Sequence, residues 1–141
     1  MADPVTVVLS GDPQGKGRPR AVVRGKFATM YTPAKTRTYE GMIRTAAMDA
    51  MAGRDPIAVP VKLDMTAVFA VPPSWPQKKR VAALAGEVFP AKKPDADNIL
   101  KAWKDSLNGV VYADDCQVVQ GSFEKRYGPA PRVTVTVTPL A

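Results

Sequence analysis

An α/β or α+β domain is what the patterning of this chain predicts, with about four or five strands and two or three helices. Three observations carry that expectation. Runs rich in β-branched residues read as strands at both ends and in the middle of the chain. Two segments repeat apolar residues at helical spacing, and clusters of glycine and proline punctuate the intervals. With 141 residues, 45% of them hydrophobic, the chain is long enough to bury one core as a single domain, residues 1–141.

The elements follow in order. Val5–Ser10 (VTVVLS) reads as a buried strand, and the Gly- and Pro-rich stretch after it as a loop. Within a basic amino-terminal stretch of about 11–26, that loop gathers Lys16, Arg18 and Arg20, followed by Arg24 and Lys26. It lacks the Gly-x-x-x-x-Gly-Lys-Ser/Thr pattern of a nucleotide-binding loop, so no nucleotide cofactor is expected. Residues 21–31 alternate weakly and suggest a hairpin turning at Arg24-Gly25. Ala34–Met51 is predicted helical, with Tyr39, Ile43, Ala46, Ala47 and Ala50 as its apolar stripe and with Lys35, Arg37 and Arg44 as charges able to face phosphate. Gly53-Arg54-Asp55-Pro56 ends it. Residues 61–71 read as a long strand, broken by Pro72-Pro73-Ser74-Trp75-Pro76, and 77–85 as a short helix with a basic start. Residues 117–126 and 131–138 look like two strands joined by a turn at Gly128-Pro129-Ala130-Pro131.

Composition excludes several chemistries. The chain has no histidine, which removes Ser-His-Asp hydrolysis, His-Glu-x-x-His zinc sites and imidazole bases. Cys116 is the single cysteine, so neither an intrachain disulfide nor a Cys/His zinc site can form, and a reducing cytoplasm is the expected location. No signal peptide and no membrane span are legible. The formal charge of +7, with a pI near 9.7, favours a polyanionic partner such as nucleic acid.

Chemistry concentrates in Lys92-Lys93-Pro94-Asp95-Ala96-Asp97-Asn98-Ile99-Leu100-Lys101 and on to Tyr112-Ala113-Asp114-Asp115. Pro94 biases Lys93 towards extended backbone, and Asp97 or Asn98 can then cap a helix. Leu100, Trp103 and Leu107 form its apolar face, Asp97, Lys101 and Asp105 a polar one, and Asn108-Gly109 its stop. Asp95 and Asp97 in an extended turn would point to one side. Folding that brings Asp115, with Asp114 beside it, to the same place gathers carboxylates that repel unless a cation neutralises them. Mg²⁺ takes oxygen ligands and leaves room for water and phosphate, and a lysine such as Lys101 is a ready partner for phosphate. The same residues also suit plainer roles: capped turns, a solvated loop, and helix-surface pairs of Lys101 with Asp97 and Asp105 stabilising by ~0.2–0.5 kcal/mol each.

The run Pro94 to Lys101, then Asp105-Ser106-Leu107-Asn108-Gly109, then Asp114-Asp115-Cys116-Gln117-Val118 resembles the signature of the RusA family of Holliday junction resolvases. Lys16-Gly17-Arg18-Pro19-Arg20 and Tyr31-Thr32-Pro33-Ala34-Lys35-Thr36 also resemble its phage-type members, so the likeness touches most of the chain. The resemblance implies a mixed sheet with helices, a homodimer, and a small endodeoxyribonuclease of bacteria or their prophages that depends on Mg²⁺, with Mn²⁺ as a substitute. It implies that Asp95, Asp97 and Asp115 are essential metal-binding carboxylates and that Lys101 is the essential lysine; Asp114, beside Asp115, is expected as a further ligand or an orienting group. Lys16, Arg18, Arg20, Lys35 and Arg37 would contact the backbone of branched DNA. Two other readings stand beside it. A restriction-type nuclease would need Asp/Glu-x-Lys on a strand after Pro94-Asp95, and Glu124-Lys125 lacks the intervening residue. A non-catalytic basic DNA-binding protein of phage or bacterial origin would use the basic loop alone.

Overall fold

A computed structural model describes residues 3–16, 20–24, 27–31 and 34–140, with side chains described for 3–16 and 34–140. The β-branched run Val5–Ser10 forms β1, and Arg20–Arg24 (β2) and Phe27–Tyr31 (β3) form an antiparallel ribbon, as the weak alternation suggested. The helix α1 occupies Ala34–Met51, the predicted span, and ends where Ala52 and Gly53 both adopt positive φ. Next come β4 (Val61–Ala70), α2 (Gln77–Leu84), α3 (Ala96–Leu107), a single 3₁₀ turn at Asp115–Gln117, β5 (Val118–Gly128) and β6 (Arg132–Pro139).

β1, β6, β4 and β5 lie side by side, in that order, as one mixed sheet. β4 runs parallel to β5 and antiparallel to β6, so the strands joined by the Gly128–Pro131 turn are separated by β4 rather than paired as a hairpin. Among the described residues the fold is α+β, with three α-helices and a four-stranded main sheet.

Alternation along the strands makes the sheet one-sided. Val7, Val135 and Met65 are paired neighbours across it and all buried, while Thr6 and Thr136 meet through their hydroxyls at 3.1 Å on the opposite face. α1 and α3 cover the apolar face. Trp103 of α3 is fully buried there, its indole N–H donating to the Tyr39 hydroxyl of α1 at 3.3 Å, which satisfies both polar atoms inside the core. Truncating Trp103 to alanine would cost about 3–5 kcal/mol. This core fixes α3 against the sheet, and α3 carries most of the charged residues considered next.

Candidate active site

α3 begins two or three residues earlier than the Asp97 or Asn98 cap that the sequence suggested. The cap is Asp95, in extended backbone, whose Oδ1 accepts the Asn98 N–H at 3.0 Å. All three residues at the start, Asp95, Asp97 and Asn98, are good caps by type. Asp95 wins because Ala96 already takes helical geometry, which moves Asp97 into the first turn. Ile99, Ala102, Trp103, Ser106 and Leu107 are buried, and Leu100, expected in the core, is half-exposed beside the polar face. The segment before the cap is held by Lys125 of β5, whose ammonium donates to the carbonyls of Lys92 at 2.5 Å and Pro94 at 3.0 Å. Burial, then the neighbouring Lys92 charge, pushes the Lys125 pKa down, against the opposing pull of Asp95.

The connection out of α3 is equally fixed. Asn108 ends the helix and Gly109 takes φ +76°. Tyr112 is fully buried and its hydroxyl donates to the Lys104 carbonyl at 2.9 Å. Burial, and then Asp115, Asp105 and Asp114, raise its pKa, so this phenol is a strut and no acid–base group. Asp114 caps the 3₁₀ turn in a reciprocal box: its Oδ1 accepts the Cys116 N–H, and its own N–H donates to Gln117 Oε1 at 2.9 Å. The Gln117 amide reaches on to the carbonyls of Ile57 at 2.7 Å and Val59 at 3.0 Å, tying the turn to the chain entering β4.

These two constructions meet in a cleft of about 260 Å³ lined by Asp97, Leu100, Lys101, Lys104, Asp105 and Asp115. The structure therefore brings Asp97, Lys101 and Asp115 together from separate parts of the chain. Asp95 and Asp114 stand at the two helix starts beside it and are not among its lining residues. Asp115 is held above the usual carboxylate range by burial and then by the adjoining Asp114, with Lys104 pulling the other way. Asp114 is held below that range, first by its hydrogen bond with Asp115 and then by the Cys116 N–H. Among the described residues no three His, Cys, Asp or Glu side chains form a ready metal cage. The donor set is nonetheless of the right chemistry for a hard divalent cation, because Mg²⁺ is commonly held through one or two carboxylates with water and phosphate completing its octahedron.

Lys104 and Asp105 were not singled out by the sequence as site residues. Asp105 is the hub of the polar face, since its Oδ2 lies 2.6 Å from Lys16 Nζ and 3.5 Å from Lys101 Nζ. Partial burial works to raise the Asp105 pKa, but Lys16 and then Lys101 outweigh it and hold the carboxyl below its usual range. The i, i+4, i+8 spacing of Asp97, Lys101 and Asp105 was the available signal.

The residues expected to follow the DNA backbone divide. Lys16 is engaged inside the molecule: besides Asp105, its ammonium meets Glu40 of α1 at 3.3 Å, and its backbone N–H donates to the Asn98 carbonyl at 3.1 Å. Gly15 beside it passes so close to α3 that an added Cβ would stand 3.0 Å from Asn98 Cβ and 3.1 Å from Pro94 Cβ. Lys16 is thus a tie between α1, α3 and the amino-terminal loop, which differs from the backbone-tracking role expected of it. Arg44 makes a similar tie, donating to the carbonyls of Ser106 and Asn108, both at 3.2 Å, at the carboxyl end of α3. Lys35 and Arg37 are exposed on the first turns of α1. Arg18 lies outside the described residues, as does the side chain of Arg20.

Comparison with known proteins adds a family. A family model described as "Endodeoxyribonuclease RusA" matches residues 10–138. The chain is also 34% identical over 137 residues to the "Uncharacterized protein YqaN" of Bacillus subtilis (strain 168), an alignment covering 96% of each chain.

Proposed function

The chain belongs to the RusA endodeoxyribonuclease family, and from that premise we propose that it resolves Holliday junctions by paired, metal-dependent nicks. The observation that supports this reading best is the cleft itself. Two carboxylates far apart in sequence, Asp97 and Asp115, share it with the ammonium groups of Lys101 and Lys104. Anionic donors for a cation beside cationic donors for a phosphate are the two halves that phosphodiester hydrolysis requires.

In this reading Asp97 and Asp115 hold Mg²⁺, or Mn²⁺ in its place, and the ion supplies Lewis-acid neutralisation of the scissile phosphate. Asp95 contributes its charge at the head of α3; its cap uses one of about four lone-pair sites of the carboxylate and leaves the rest. Asp114 orients Asp115 by fixing the turn. Lys101, whose side chain is 64% exposed, reaches a phosphate oxygen and stabilises charge that develops there. Asp105 restrains Lys101 without burying it, and Lys16 shares the Asp105 charge so that Lys101 is not neutralised within the molecule. Without histidine, proton transfers fall to carboxylate, lysine and water.

A four-way junction offers two equivalent strands, so a two-fold homodimer with one cleft per subunit matches its symmetry. The test is cleavage of a synthetic mobile junction with and without Mg²⁺, mapping cuts on all four strands. Symmetric nicks that vanish in Asp97→Asn and Asp115→Asn while junction binding persists are the expected result. Binding without any metal-dependent nick would replace the resolvase by a non-catalytic DNA-binding protein.

A further inference from the structure

Outside the cleft, three lysines are seated on aromatic rings. Lys79 Nζ lies 3.9 Å from the ring centroid of Trp75, and Lys92 Nζ lies 5.6 Å from that of Phe69 and 5.9 Å from that of Tyr127. Lys125 Nζ is 5.3 Å from the Phe69 centroid. The rings are contiguous, with Trp75 and Tyr127 packed edge-to-face at 5.2 Å. Lys79 and Lys92 are exposed, and neither forms an ion pair among the described residues. Contrast Lys16 and Lys101, whose ammonium groups are held by Asp105.

This patch is physically joined to the cleft. Lys125 binds the carbonyls of Lys92 and Pro94, and the next residue, Asp95, caps the helix that carries Asp97. Phe69 and Tyr127 are buried and are therefore unavailable to stack on bases. Their faces instead fix where the ammonium groups sit, by the attraction of a cation for a ring face. A lysine already ordered on a ring loses less rotamer freedom when an anion arrives than one free in solvent. Lys79 and Lys92, exposed, free of ion pairs among the described residues and pre-ordered on rings, suit a polyanionic ligand.

We propose that the lysine–aromatic patch of Lys79 and Lys92, braced by Lys125 through its bonds to the Lys92 and Pro94 carbonyls, is a track for the sugar-phosphate backbone of a nucleic-acid arm as it leaves the cleft. This inference rests on the nuclease reading for where the arm comes from. Its partner is a phosphodiester backbone read without regard to sequence, because lysine contacts to phosphate position the duplex and carry no base information.

The experiment is equilibrium binding of a labelled four-way junction without divalent metal, across a series of NaCl concentrations. Lys79→Gln/Lys92→Gln should weaken binding at low salt and reduce the slope of log K against log [salt] by about 1.8, the loss of two phosphate contacts at about 0.9 each. A matched control, Lys62→Gln/Arg54→Gln, removes two cations elsewhere: Lys62 pairs with Asp64, and Arg54 donates to the Asp3 carbonyl. Equal slopes for the two double variants would overturn the track, because net charge alone would then account for the change. On a junction whose arms end at the cleft, the Lys79/Lys92 variant should bind like the parent, and a persisting defect there would also overturn it. The nuclease reading fails separately, if the parent protein leaves a junction uncut in Mg²⁺.

Discussion

Asp95–Asp97 and Asp114–Asp115 are two acid pairs built on one plan. In each, the first carboxylate caps a helical turn, Asp95 on α3 and Asp114 on the 3₁₀ turn, and the second lines the shared cleft. They differ in spacing. One residue separates Asp95 from Asp97, whereas Asp114 and Asp115 are adjacent and hydrogen-bonded, so their titrations move in opposite directions. Local capping thus decides which acid of a pair meets the cleft. Burial first, and then the adjoining Asp114, make Asp115 resist carrying its charge without a cation beside it.

The largest expected effect breaks the plan at its cleft members. Asp97→Asn and Asp115→Asn should each reduce Mg²⁺-dependent junction cleavage to background while the melting temperature stays near that of the parent. A variant that still cleaves at parental rate would take its residue out of the site. Next comes Lys101→Ala, with an expected loss of about 10²–10³-fold in turnover, the usual cost of removing one donor to developing charge. Its junction affinity should change little, and parental turnover would leave Lys101 as a surface partner of Asp105 only.

The capping members sharpen the comparison, because asparagine caps about as well as aspartate. Asp95→Asn and Asp114→Asn therefore remove charge and keep the cap. Asp95→Asn should melt like the parent and lose most cleavage, since its charge stands at the head of the helix that carries Asp97. Asp114→Asn should lose only about 10–100-fold, as expected for a group that orients a ligand. Asp95→Ala removes cap and charge together and should also cost about 0.5–2 kcal/mol of stability. Identical activities for Asp95→Asn and Asp114→Asn would show that the two caps serve the cleft in the same way.

Much of this arrangement was legible in the chain, and the misreadings have physical causes. β1 and α1 came out at their predicted spans, because β-branching and a stripe ending at a Gly-Arg-Asp-Pro break are local signals. The end of α3 at Asn108 was legible for the same reason. Its start was not, since three candidates within four residues can each cap and only packing chooses among them. The buried face also includes Ala102 and Ser106, too small or too polar to advertise burial, while Leu100 packs at the edge of the core and lines the cleft. The turn at Gly128–Pro131 was legible, but the order of the strands it joins was not, because β4 pairs with both and separates them. Convergence of Asp97 with Asp115 depends on that long-range pairing, so sequence named the residues without showing that they meet. The contact of Lys16 with Asp105, spanning 89 positions, leaves no trace in periodicity at all.

That last contact supplies the smallest effect and a test of how the cleft is braced. Asp105 titrates below its ordinary value of 3.8, so its pairing stabilises the fold above that pH and is lost as pH falls through the depressed value. Lys16 titrates above its ordinary 10.5, since Asp105 and Glu40 outweigh the opposing burial, so its share is present below that pH and lost as pH rises further. Between those limits the tie should contribute about 1 kcal/mol, roughly 4 °C in melting temperature for a chain of this size. Asp105→Asn should lower the melting temperature at neutral pH by about that amount and run closer to the parent as the solution is acidified to about pH 3. Lys16→Met should show the same convergence with acid. Unlike the Lys79/Lys92 pair, it should leave the salt slope of junction binding unchanged, because its ammonium faces Asp105 and Glu40. A Lys16→Met slope lower by about 0.9 would return this lysine to the DNA backbone. Parallel melting curves for parent and Asp105→Asn would mean that the amino-terminal loop is held by the Gly15–Pro94 packing and the Lys16–Asn98 backbone bond, with the charges contributing nothing measurable.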